Sequence, residues 1–117
     1  MGLGVGPWKT VQIDISDSDV LSDECDLGGE FQDLLVLVPT ITSSTIGVNI
    51  SQLSGGTYYP LYILDDDATG SFLSATSAGT ATLAVIFHIG GIRFIKITAG
   101  SAQAADRDFL VRGINPV

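Results

Sequence analysis

Thr45-Ile46-Gly47-Val48-Asn49-Ile50-Ser51 sets Ile46, Val48 and Ile50 at every second position, with polar or small residues between them. Side chains of an extended chain point alternately to opposite faces, so this stretch reads as a strand with one face in a core and the other in water. Just beyond it, Ser54-Gly55-Gly56 is a turn signal, because glycine reaches the positive φ that tight hairpins demand. The next run rich in aromatic residues starts at Tyr58. A half-buried strand followed by a hairpin sets the pattern for the rest of the chain.

Outward from this hairpin, short runs rich in Val, Ile, Phe and Tyr recur between clusters of Gly, Ser, Thr and Asp. That alternation predicts strands over 10–15, 22–27, 33–38, 46–51, 58–64, 82–88, 92–98 and 108–112, with no long helical period competing. Gly90-Gly91 is expected to close a second hairpin between His88 and Ile92. The longest connection, 65–80, opens on acidic residues and continues in Gly, Ser, Thr and Ala, which predicts a surface excursion. Two runs depart from simple alternation: Leu34-Leu35-Val36-Leu37-Val38 and Leu83-Ala84-Val85-Ile86-Phe87 are apolar on both faces. Their outer faces are expected to be covered by a loop or by a neighbouring subunit.

With 117 residues, 45% of them hydrophobic and 15% charged, the chain is expected to fold as one domain over residues 9–117. It is preceded by a flexible, glycine-rich arm over residues 1–8. No apolar run approaches the roughly 18 to 20 residues a spanning helix needs, and residues 1–7 lack the basic start and apolar centre of a secretory signal. No membrane association is expected. The net charge is −8, and eight acidic residues against Lys9 alone fall in the first 33 positions. That balance repels phosphate backbones and argues against nucleic-acid binding. It reads instead as a solvated face, or as a surface that meets a basic partner.

Candidate chemistry is sparse. Cys25 is the single cysteine, so neither an intramolecular disulfide nor a thiolate zinc cluster can form. His88 is the single histidine, and no nucleophile signature accompanies it. Asp65-Asp66-Asp67 lacks the alternating spacing of a calcium loop. No glycine pattern opens a helix to cradle a phosphate. The expectation is a non-enzymatic protein with no catalytic residue, cofactor or metal. Tyr58, Tyr59 and Tyr62 lie close together, and in a regular strand Tyr58 and Tyr62 would share a face on which a sugar could stack. Trp8, beside the arm, either caps the core or anchors the arm on a neighbour.

The stretch from Val48 to Tyr59, V-N-I-S-Q-L-S-G-G-T-Y-Y, resembles the V-x-V-S-x-D-G-x-T-Y-Y hairpin of jelly-roll phage virion structural proteins, with Gly55 where Asp is usual. Residues 91–97, G-I-R-F-I-K-I, and 102–113, A-Q-A-A-D-R-D-F-L-V-R-G, resemble the closing strands of small capsid-associated phage proteins. The same segments also resemble galactose-binding-like sandwiches. The resemblance spans about residues 31 to 113 and implies a jelly-roll-like antiparallel β-sandwich of about eight strands. It also implies a capsid decoration, or cement, protein on the virion exterior, assembled in the host cytoplasm, that binds the major capsid protein and stabilises the shell as a homo-oligomer such as a trimer. The residues expected to meet partners are Trp8, Asp17, Asp19, Asp23, Glu24, Tyr58 and Tyr62. The alternatives are a carbohydrate-binding module using Tyr58 and Tyr62, or a tail or neck component.

Overall fold

The structure, a computed structural model, describes residues 4–64, 72–74, 77–79 and 82–116. Nine strands are found among them, and no helix there is long and apolar enough to cross a membrane. The strands are β1 (Lys9–Ile13), β2 (Cys25–Val38), β3 (Ser44–Ser51), β4 (Tyr59–Pro60), β5 (Tyr62–Leu64), β6 (Phe72–Ser74), β7 (Ser77–Gly79), β8 (Leu83–Ala99) and β9 (Arg107–Ile114). Six form an antiparallel sheet in the order β1-β9-β2-β8-β3-β4; β7 adds to β3, and β5 and β6 make a separate two-stranded ladder.

In β3 the alternation holds in its first part only: Ile46 and Val48 are buried, but Ile50 is half-buried, while Gly47 and Ser51, expected on the water face, are buried because neighbouring strands lie along both sides of β3. The turn after it carries Gly55 at φ 68°, and β3 and β4 pair antiparallel across it. The same sequence logic fails at Gly90-Gly91. Both glycines have positive φ, 75° and 88°, yet the chain does not reverse. The two predicted strands there are one continuous strand, β8, with a bend at its middle. The predicted strands 22–27 and 33–38 likewise merge into β2, which bends around Gly28 at φ 88°.

The two bends face each other. Pairing between β2 and β8 shifts register between Asp26 and Phe31, and again between Phe31 and Asp33. One residue too many on one strand flips which side chains point inward beyond it. The buried set of β2 duly changes from Cys25 and Leu27 to Leu34, Val36 and Val38. Predicted strand 58–64 is also broken, by Leu61, into β4 and β5 in different ladders.

Val11 and Ile13 of β1 share one continuous cluster with Ile46 and Val48 of β3, although three strands separate them in the sheet order. The sheet must therefore curl so that one face encloses a single core, which also takes in Phe109, Val111, Ile95 and Ile97. Each such side chain, removed fully from water, contributes roughly 1.5–3 kcal/mol. Close approach at one end requires glycine. The Phe31 ring lies so near Gly6 and Gly113 that a Cβ would sit 2.7 Å and 2.2 Å from it.

Residues 4–8, expected as part of a mobile arm, run against β9. Val5 bridges Ile114, Gly6 N–H donates to Gly113 O at 2.8 Å, and Arg112 donates from Nε and Nη2 to Gly6 O at 3.1 and 2.9 Å. Residues 1–3 lie outside the described residues, as do Asp65-Asp66-Asp67 and most of the predicted excursion 65–80.

Candidate interaction surface

Four strands, β1, β9, β2 and β8, present the outer face of one half of the sheet. Because side chains alternate, the residues beside the buried Leu34, Val36 and Phe87 point out: Leu35 and Leu37 from β2, Ala84 and Ile86 from β8, and Leu110 from β9. Register brings them together. Leu35 stands opposite Ile86 on one side and Arg112 on the other; Leu37 stands opposite Ala84 and Leu110. Ile86 is 54% exposed and Leu110 44%. Both doubly apolar runs thus contribute to one apolar patch, which no described segment covers at Ile86. At the end of this patch a cleft of about 420 Å³ is lined by Leu37, Pro39, Leu83 and Leu110 among others.

Polar groups frame the patch. His88 Nδ1 and Asp33 Oδ1 lie 2.6 Å apart across the β2–β8 pair, with the histidine ring largely in solvent. On the β9 side the Arg112 guanidinium lies 4.6 Å from the centroid of Trp8, which is 42% exposed. Trp8 therefore does not cap the core: it is a flat shelf under a cation, a geometry in which ring quadrupole and charge attract.

The acidic segment forms a second surface, bound to the other half of β8. Ser22 N–H donates to Ile97 O, Ala99 N–H donates to Val20 O, and Leu21 bridges Thr98. Asp14, Asp17 and Asp23 line a cleft of about 300 Å³ with Lys96 in its wall. Asp14 accepts from Ser16 N–H and Oγ, and these bonds hold its carboxyl below the usual carboxylate range. Asp19 is exposed, and its carbonyl accepts from Gln103 N–H. Among the described residues, no three of His, Cys, Asp and Glu converge to hold a metal.

Glu24 plays a different part. Its carboxylate accepts from Gly55 N–H at 2.8 Å, Ser54 Oγ at 2.6 Å and the Tyr58 hydroxyl at 2.6 Å. These donors, led by the Gly55 amide, lower its pKa. Tyr58 in turn is held protonated, by burial first and by the Glu24 bond second, and Lys96 Nζ lies 4.8 Å from its ring centroid. The structure thus gathers Asp17 and Asp23 into one cleft and ties Glu24 to Tyr58. Trp8 lies apart on the β9 side, and Tyr62 is exposed in the β5–β6 ladder. Sequence reading flagged the doubly apolar runs but missed Leu110, Arg112 and Lys96, whose roles arise from register between distant strands.

No protein-family model matches the chain, and no curated protein matches it. Among solved structures, the crystal structure of the SPBc2 prophage-derived protein YomS is similar, with a TM-score of 0.51 and 15% identity, covering 90% of this chain and 92% of that one. At that identity the likeness is one of fold.

Proposed function

We propose that the chain is a phage virion structural protein, a decoration protein that binds the outer surface of a capsid and stabilises the shell without catalysis. The observation that carries this reading is the fold shared with a prophage-derived protein over nine-tenths of the chain. The jelly-roll-like sandwich description of the curled sheet goes with the proposal. Two surfaces suit the role. An apolar patch around Leu35, Ile86 and Leu110 gains by leaving water against another protein, and the acidic segment steers the chain to a basic area of the major capsid protein. Contact across shell subunits adds binding free energy to the assembled state alone, which stabilises it by mass action.

The glycan alternative is not favoured, because Tyr58 is half-buried with its hydroxyl committed to Glu24. Shells purified without the chain, mixed with the purified protein and pelleted, test the proposal. Saturable co-sedimentation with a rise in the temperature of shell disruption is expected. Protein that stays in the supernatant at every concentration overturns it.

A further inference from the structure

Among the described residues, half of β8 is a sheet edge. Its residues 83–88 pair with β2 residues 33–38 on one side, and β3 takes only residues 94–99 on the other. Among the described residues no strand lies along the second side of 83–88, so alternate backbone N–H and C=O groups there have no ladder partner. Leu83 and Val85 point toward the core from this edge yet are only partly buried, whereas Phe87 and Ile89 are fully so. Among the described residues, nothing closes the core where a further strand would lie.

Natural edge strands are usually blunted by charge, proline, a bulge or shortness. Leu83-Ala84-Val85-Ile86-Phe87-His88-Ile89 carries no Lys, Arg, Asp, Glu or Pro, and the positive-φ glycines come only after it. An edge left so regular is suited to pairing. We propose that it pairs antiparallel with the same edge of a second copy of this chain, about a two-fold axis at Ile86.

The pattern of the outer face is self-complementary in that arrangement. Ile86 meets its own copy, and the row across the seam reads Arg112, Leu35, Ile86, then Ile86, Leu35, Arg112 of the second copy. The neighbouring row sets Ala84 against His88 of the second copy, so the one titratable side chain on the edge never faces itself. The two Arg112 side chains stand five strand spacings apart, roughly 24 Å, well beyond the ~8 Å over which salt leaves charges in contact. The acidic segment lies along the other half of β8, beside Ile97 to Ala99, away from the seam. The edge itself offers no charge to select a different, charged partner. A two-fold, by contrast, satisfies both copies with one patch. This pairing does not depend on the virion reading and stands or falls separately from it.

Sedimentation equilibrium of the full chain, with disulfide trapping, tests the pairing. The mass should rise with concentration from 12.2 kDa towards twice that value. Ile86→Lys, at a position more than half exposed, should weaken association at least about tenfold by placing like charges opposite each other, with an unchanged far-UV spectrum. Ile86→Cys should form a covalent dimer under mild oxidation, because directly opposed Cβ atoms lie about 5 Å apart; Leu110→Cys, on the same face but off the seam, should not. The trapping result stands even if the lysine variant fails to fold. A wild-type chain that stays monomeric throughout, or Leu110→Cys cross-linking as readily as Ile86→Cys, overturns the proposal.

Discussion

The Tyr58 hydroxyl donates to the Glu24 carboxylate at 2.6 Å, across 34 positions of sequence. With Ser54 and Gly55 donating to the same carboxylate, this bond fastens the β3–β4 hairpin to the start of β2. Tyr58→Phe removes one donor and leaves the ring in place. A hydrogen bond of this kind contributes about 0.5–1.5 kcal/mol, which predicts a fall in Tm of a few degrees in a thermal melt.

Acid should weaken the fold in a defined window. Asp26 receives Nε and Nη2 of Arg93 at 2.7 and 3.0 Å, and this pairing, with the Gly28 amide, holds its carboxyl down to about 2. Glu24 and Asp14 are lowered as well, by the bonds already described. A carboxylate whose folded pKa lies below its unfolded value stabilises the fold above the unfolded value, about 4, and loses that contribution as pH falls through the folded one. Tm should therefore be flat from neutral pH to about 5 and decline between about pH 4 and 2. Asp26→Asn should make that decline shallower. An equal decline in the variant would remove Asp26 from the explanation.

Gly113 is fixed by contact, not by φ. A methyl group there would overlap the Phe31 ring near its Cγ end, and Gly6 lies against the Cζ end of the same ring. Gly113→Ala should cost about 1–3 kcal/mol, as overpacked sites do, measured by urea denaturation. Combining it with Phe31→Ala should cost less than the sum of the two single changes, since the clash is shared.

Cys25 is buried, and burial pushes its thiol up to about 11. The thiolate is the reactive form, so a disulfide reagent at pH 8 should modify the native chain orders of magnitude more slowly than the same chain in guanidinium. Equal rates in the two states would contradict the burial.

The outline of this fold was legible wherever one local pattern had one structural meaning. The alternation of Ile46, Val48 and Ile50 can only be a half-buried strand, and the strands near Val11 and Phe109 followed the same rule. Gly90-Gly91 was misread because positive φ serves a hairpin and a bulge equally well; what decides between them is whether β2 runs alongside both halves, which no local window contains. The apolar patch was half legible: the sequence marks two runs as apolar on both faces, but which side chains point outward, and the adjacency of Leu35, Ile86 and Arg112, depend on register. Glu24 belonged to an acidic run in sequence and is a hairpin clasp in space.

Attachment to the outside of a capsid is tested most directly by imaging purified particles at a resolution that shows single small domains. Density of this fold is expected on the outer shell at symmetry-related positions, lost from particles made without the chain. Shells identical with and without the chain, or density confined to the tail, would rule out a capsid decoration role.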